Sequence, residues 1–282
     1  MSESLDPHRI GTPCWREEDL RASLSEFNEV LARAPFTENQ GGMGPQHMFG
    51  VWSIARSLRP SVIVESGVWK GAGTWLLHEA CPEANLVCIE PCPDHIQFRI
   101  PSAQYLETDF DLIDWSGFDR ERTLVFFDDH QNAWERLKSA YTWGFRHLIF
   151  EDNYPPGAGD CYSPKKIFSS TGHTTIPPSR SFSQRVRDRM LSYFGASAYR
   201  PRIPPNTAHQ GALSRIVDVY AEFPPVVAPE VTRFGDSWES IPAPDPLFGH
   251  SEHPELLRFI ESAEQYTYLC YVKLVPPHRH QF

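Results

Sequence analysis

Short runs of buried-type residues alternate with helical segments through the first half of the chain, and no other feature constrains the fold as much. Ser61–Glu65 (Ser-Val-Ile-Val-Glu), Asn85–Glu90, Ala103–Leu106, Thr123–Phe127 and His147–Phe150 read as five strands. The longer runs are continuously apolar, as strands covered on both faces are, and do not alternate in polarity. Helical spacing between them predicts helices over Gly73–Ala80 and Asn132–Trp143, the second stopped by Gly144. Buried strands alternating with helices make a parallel sheet with helices on both faces. The expected fold is α/β, a doubly wound, mostly parallel, Rossmann-like sheet.

Two helices are expected upstream, Ser23–Ala34, stopped by Pro35, and Pro45–Leu58, with the glycine-rich loop Phe36–Pro45 between them. After Tyr154 the pattern dissolves, and most of the 26 prolines fall there. Helices are expected at Arg185–Tyr193, Ala212–Tyr220 and Pro254–Glu264, and a late strand at Tyr266–Val275.

A net charge of −10 argues against a general nucleic-acid binder, which needs a basic face. Arg180, Arg185, Arg187 and Arg189 cluster, but such a run fits one solvated helix face. No stretch approaches the roughly 18 apolar residues that cross a bilayer, and no membrane partner is expected. Met1–Leu20 is polar and does not read as a secretory signal. The six cysteines form no C-x-x-C pair, and Cys81 and Cys88 read as reduced core thiols. A cytoplasmic location is the expectation.

The first strand runs into Glu65-Ser66-Gly67-Val68-Trp69-Lys70-Gly71-Ala72-Gly73-Thr74. A glycine turn between a buried strand and a helix lets a ligand come close to the backbone. The spacing lacks the G-K-[ST] of a P-loop, and it is not G-x-G-x-x-G. The second strand ends in Glu90, an offset of about twenty residues that suits a ribose-binding acid. Asp109 follows the third strand. The pattern E-x-G-x-x-x-G resembles the first motif of class I S-adenosylmethionine-dependent methyltransferases. That resemblance implies a cofactor site of Glu65, Ser66, Gly67, Gly71, Thr74, Glu90, Asp109 and Asp128.

The fourth strand is followed by Asp128-Asp129-His130 and the fifth by Glu151-Asp152-Asn153-Tyr154. In a parallel sheet these ends share one edge. Carboxylates that close repel unless one is protonated or a cation lies among them, and a hard divalent cation with oxygen ligands is the natural answer. The arrangement is similar to the metal-dependent O-methyltransferases of antibiotic biosynthesis, the macrolide sugar methyltransferases and cephalosporin-tailoring relatives. It implies a metal, magnesium in those families, held by Asp128 or Asp129 with Glu151 and Asp152. His130 is implied as the base, with Asp129 beside it, although His130 follows Asp129 directly where those families have intervening residues. Asn153, Tyr154 and Tyr162 are expected to touch the acceptor.

The resulting expectation is an S-adenosylmethionine-dependent O-methyltransferase acting on a hydroxyl of a small molecule or sugar, with a possible homo-oligomer. Its organisation would be an N-terminal helix and lid loop over 1–45, a methyltransferase domain over 46–275 with an irregular cap at 157–248, and a tail at 276–282. Competing readings are an NAD-dependent oxidoreductase, disfavoured by the glycine spacing, and a non-haem iron enzyme using His250, Glu252 and His278 or His280. A non-catalytic cofactor-binding protein on the same fold is the third.

Overall fold

Neighbouring residues in the apolar runs bury on opposite sides. Ile63 and Val64, Leu124 and Val125, and Phe126 and Phe127 are all buried, and each pair divides between two separate core layers. Side chains of a strand alternate between faces, so such a sheet must be covered twice. The computed structural model describes residues 9–36, 39, 41–173, 203–240, 243–249, 253–266 and 268–277.

Eight strands form one sheet: β1 (Arg9–Ile10), β2 (Val62–Ser66), β3 (Asn85–Ile89), β4 (Gln104–Leu106), β5 (Thr123–Phe127), β6 (His147–Phe150), β7 (Val217–Glu222) and β8 (Cys270–Leu274). Their order is β1-β7-β8-β6-β5-β2-β3-β4. Strands β2 to β6 pair in parallel. β8 runs antiparallel to β6 and β7, and β1 antiparallel to β7. The sheet is therefore doubly wound and mostly parallel, as the sequence implies. Strand order reverses between β2 and β5, which opens a crevice at their C-terminal ends.

One core layer is built on α1 (Glu17–Ala32), α2 (Pro45–Leu58) and α3 (Ala72–Ala80), through Leu20, Phe27, Phe49, Trp52 and Leu76. The other is built on α4 (Ala133–Trp143), α5 (Pro164–Phe168) and the helix Thr207–Ile216 (α6), through Leu137, Tyr141, Ile167 and Leu213. Local signals set the helix ends. The Asn132 side chain accepts from Trp134 N–H, Pro45 occupies the first turn of α2, and Gly144 closes α4 at φ +88°.

Three expectations need correction. Leu213, Ile216, Val217 and Tyr220 have helical spacing, but the helix stops at Ile216 and Val217–Glu222 is strand β7. The β-branched Val217 and Val219 are taken into the ladder against β8, where pairing and two-sided burial outweigh local periodicity. The segment Pro254–Glu264 is two 3-10 turns flanking α7 (Leu257–Glu261), and the Ser262 hydroxyl bonds back to the Arg258 carbonyl where the helix ends. α1 starts earlier than expected, at Glu17, with Glu17, Glu18 and Asp19 in its first turn. The expected helix Arg185–Tyr193, the arginine cluster around it, and His250, Glu252, His278 and His280 lie outside the described residues. Among the described residues no helix is long and apolar enough to cross a membrane.

Candidate active site

The turn after β2 needs glycine at two places. Gly67 has φ +95°, and a Cβ there would lie 2.2 Å from the Asp128 carbonyl oxygen. Gly71 has φ +98°, and its Cβ would lie 2.1 Å from the Phe98 carbonyl oxygen. Only a residue without a side chain lets the β2 and β5 ends approach this closely. Beneath the turn Glu65 is buried and accepts a short hydrogen bond from the Thr74 hydroxyl in α3. Burial raises its carboxyl to about 8, against the Thr74 bond, which pulls the other way. Glu65, Gly71 and Thr74 thus shape the turn from below.

Ser66, Gly67, Glu90, Asp109, Asp128 and Asp129 line a cavity of about 470 Å³ at the sheet edge, together with Trp69, Cys92 and Arg136. Glu90 ends β3 and accepts from the Trp69 N–H at 3.0 Å and the Cys92 N–H at 2.9 Å. Each carboxylate oxygen keeps acceptor capacity beyond those bonds. Asp109 takes a two-pronged bond from Arg136, with both nitrogens at 2.8 Å, which lowers its pKa.

The sequence leaves Asp128 and Asp129 undivided, and the structure separates them. Successive residues leave the strand on opposite sides. Asp129 turns toward α4, where it accepts from Arg136 Nε at 2.9 Å, from the Ser66 hydroxyl at 2.8 Å and from Gln131 N–H at 3.1 Å. Those partners hold it on the α4 side, and it does not join the metal-type cluster. That cluster is Asp128, His130 and Asp152, each with one donor atom within 4.8 Å of the other two.

Glu151 is also drawn away. It forms a short ion pair with His47 of α2, on the opposite face of the sheet from α4. Burial alone would raise the Glu151 carboxyl, but the charge and hydrogen bond of His47 outweigh it and hold it at about 2. For Asp152 the His130 charge and the Tyr154 hydroxyl pull downward but do not outweigh burial and Glu151. Asp152 is 6 % exposed, and neither carboxylate oxygen has an aligned hydrogen-bond partner. Burial and the neighbouring Glu151 push its pKa well up. Burial, then Glu151 and Asp152, do the same to Asp128, whose carboxylate meets no hydrogen-bond donor among the described residues.

His130 sits at φ +51° and places Nδ1 3.0 Å from Asp160 and 3.3 Å from Asp152. The Asp160 hydrogen bond raises its pKa to about 9, against burial and with help from Asp152. This imidazole is protonated near neutral pH and is not yet a base.

A second cavity of about 740 Å³ adjoins the first and shares Gly41, Gly42, Asp128 and His130 with it. Tyr154, His47, Glu151 and Arg233 also line it. Of the three expected acceptor contacts only Tyr154 reaches this cavity. Asn153 is fully buried, donating to Tyr220 and accepting from Lys165 N–H. Tyr162 is 1 % exposed in the α4-side core, its hydroxyl beside His209. Sequence reasoning missed His47, Arg136 and Arg233. No spacing ties His47 to a carboxylate 104 residues away. Arg136 was detectable only as a cation one helix turn inside the helix that follows two aspartates.

No family model matches the chain, and no curated protein matches it. Among solved structures it resembles a methyltransferase from Podospora anserina bound to S-adenosylhomocysteine (16% identity, 70% of this chain and 85% of that one, TM-score 0.38). It also resembles an O-methyltransferase from Bacillus cereus in complex with the same product (13% identity, 90% of each chain, TM-score 0.38). A third is TomG, an O-methyltransferase from Streptomyces achromogenes involved in tomaymycin synthesis, in complex with S-adenosylmethionine (17% identity, 64% of this chain and 85% of that one, TM-score 0.34). Likeness at this level carries no argument about activity, which has to rest on the site itself.

Proposed function

We propose that this chain is an S-adenosylmethionine-dependent O-methyltransferase that uses a divalent cation at Asp128 and Asp152 and accepts a hydroxyl-bearing small molecule or sugar. The observation that carries the reading is the buried Asp152 carboxylate, neither oxygen of which accepts an aligned hydrogen bond, beside Asp128, which lines both cavities. A buried, unsatisfied carboxylate is costly unless a cation completes it. The donor set is oxygen-rich, which suits a hard divalent ion such as magnesium.

The smaller cavity suits the methyl donor. Gly67 lets a ligand pass against the backbone, and Glu90 has lone pairs free for paired hydroxyls. Acids around it, Asp128 among them, favour a ligand carrying a positive sulfonium. S-adenosylmethionine supplies an electrophilic methyl, and a divalent cation lowers the pKa of an acceptor hydroxyl.

The protein's own residues then do three things. The turn at Gly67 and the shared lining of Asp128 and His130 bring donor and acceptor cavities to one point, which supplies orientation. Tyr154 and the Gly41–Gly42 backbone bound the acceptor side. Asp160 fixes His130 Nδ1, leaving Nε2 as the nitrogen for the acceptor's proton. A cation that engaged Asp152 would remove one of the carboxylates raising His130, while the larger Asp160 contribution stays.

Titration calorimetry with S-adenosylhomocysteine and, separately, with Mg2+ or Mn2+ tests the proposal. Micromolar product binding is expected, and Asp152→Asn should abolish metal binding while leaving product binding within about threefold. Absence of product binding removes the methyltransferase reading. Metal binding that survives Asp152→Asn removes the metal assignment.

A further inference from the structure

The acceptor cavity is lined by acids, by histidines and by one arginine, the exposed Arg233. Arg233 makes no hydrogen bond or ion pair among the described residues, and its one recorded contact is the Phe234 ring, 6.0 Å away. Glu264 lines the same cavity but forms no ion pair with it.

Arg233 is not on a free loop. Val231 and Ser237 pair as an antiparallel bridge. Thr232 N–H bonds Asp236 O at 2.8 Å, and Gly235 N–H bonds Thr232 O at 2.9 Å. The Thr232 side chain is buried and accepts from Phe234 N–H. Phe234 meets the Tyr154 ring edge-on at 6.1 Å, and Tyr154 lies only two residues after Asp152. A closed turn thus fixes the backbone of one arginine beside a cavity whose reacting end is fixed by the sheet. An arginine without a protein anion, carried on a closed turn, is suited to a planar oxyanion, which it grips with two parallel N–H bonds.

We infer that the acceptor carries an anionic group, a carboxylate or a phosphate, which Arg233 binds at the cavity mouth while the acceptor hydroxyl lies by Asp128 and Asp152. This rests on the methyltransferase reading and narrows it to acidic hydroxylated substrates.

The test uses the full chain saturated with S-adenosylhomocysteine and Mg2+, with ligand-observed NMR affinities for two matched series. One is glucose, glucuronate and glucose 6-phosphate. The other is 3,4-dihydroxybenzoate and its methyl ester. Expected is at least tenfold tighter binding of an anionic member than of its neutral partner, with the preference lost in Arg233→Ala. Preference for glucuronate alone assigns a carboxylate, and for glucose 6-phosphate alone a phosphate. Arg233→Ala should keep its melting temperature and product affinity, which shows that the fold and the donor site are intact. No anion preference in either series, absence of binding included, overturns the inference when product still binds. A preference that persists in Arg233→Ala overturns it too. Failure of product binding counts against the methyltransferase reading instead.

Discussion

Replacing Arg136 by methionine should cost more stability than its position on a helix suggests. The guanidinium is 3 % exposed and bonds three carboxylates, Asp129 through Nε at 2.9 Å, Asp109 through Nη1 and Nη2 at 2.8 Å, and Asp111 through Nη1 at 2.8 Å. The Asp109 and Asp111 side chains are 41 % and 38 % exposed. Water screens them, and together they contribute no more than about 1 kcal/mol. Asp129 is different, because its side chain is only 13 % exposed and burial already raises its pKa against the pull of Arg136. Removing one partner of a buried pair costs about 3–5 kcal/mol, mostly as the penalty on the charge left behind. The sum is about 4 kcal/mol, and at roughly 2 °C per kcal/mol for a chain of this size the loss is roughly 8 °C. Differential scanning calorimetry at pH 7.5 reads it. The double variant Arg136→Met/Asp129→Asn should recover at least half the loss, since the stranded charge is gone. A single variant within about 2 °C of wild type, or a double variant no better than the single, refutes the argument.

Two further outcomes follow from the turn after β2. The Glu65 carboxyl is raised to about 8 in the fold and ionises near its ordinary value when unfolded. Between those values the folded state holds a proton that the unfolded state has released, so stability falls as pH rises through the window. Urea titrations from pH 5 to 8 should show that decline in the wild type and a flatter profile in Glu65→Gln; equal slopes would count against a buried neutral Glu65. Gly71→Ala combines φ +98° with a Cβ 2.1 Å from the Phe98 carbonyl oxygen, and should cost at least about 2 kcal/mol. Calorimetry showing an unchanged melting temperature would mean that the turn relaxes freely.

Much of the sheet is legible from the residues because its central strands are buried on both faces. Thr123–Phe127 and His147–Phe150 have the bounds that the apolar runs give. The antiparallel side is less legible. Val217–Glu222 carries helical spacing, and only pairing with a strand some fifty residues later decides its state. At the site, the acids at the strand ends can be placed on one edge, but their division cannot be read from order alone. It depends on which face each side chain leaves from, and on a cation supplied by a helix on that face.

That division also accounts for the charge at the rim. Four carboxylates follow β5 and β6, and the fold gives two of them a close hydrogen-bonded partner from a helix. Asp129 is met by Arg136 from the α4 side, and Glu151 by His47 from the α2 side. Asp128 and Asp152 face each other's charge, with His130 beside them already shared with Asp160. If all four acids served only to cap backbone groups, each should find N–H donors in its own loop, as Glu90 does from Trp69 and Cys92. Asp152 instead keeps two buried oxygens that accept no aligned hydrogen bond from its own loop. A rim arranged this way gives the acids that flank the crevice a hydrogen-bonded partner and leaves Asp128 and Asp152 without an aligned one, the distribution that a site for an external cation requires.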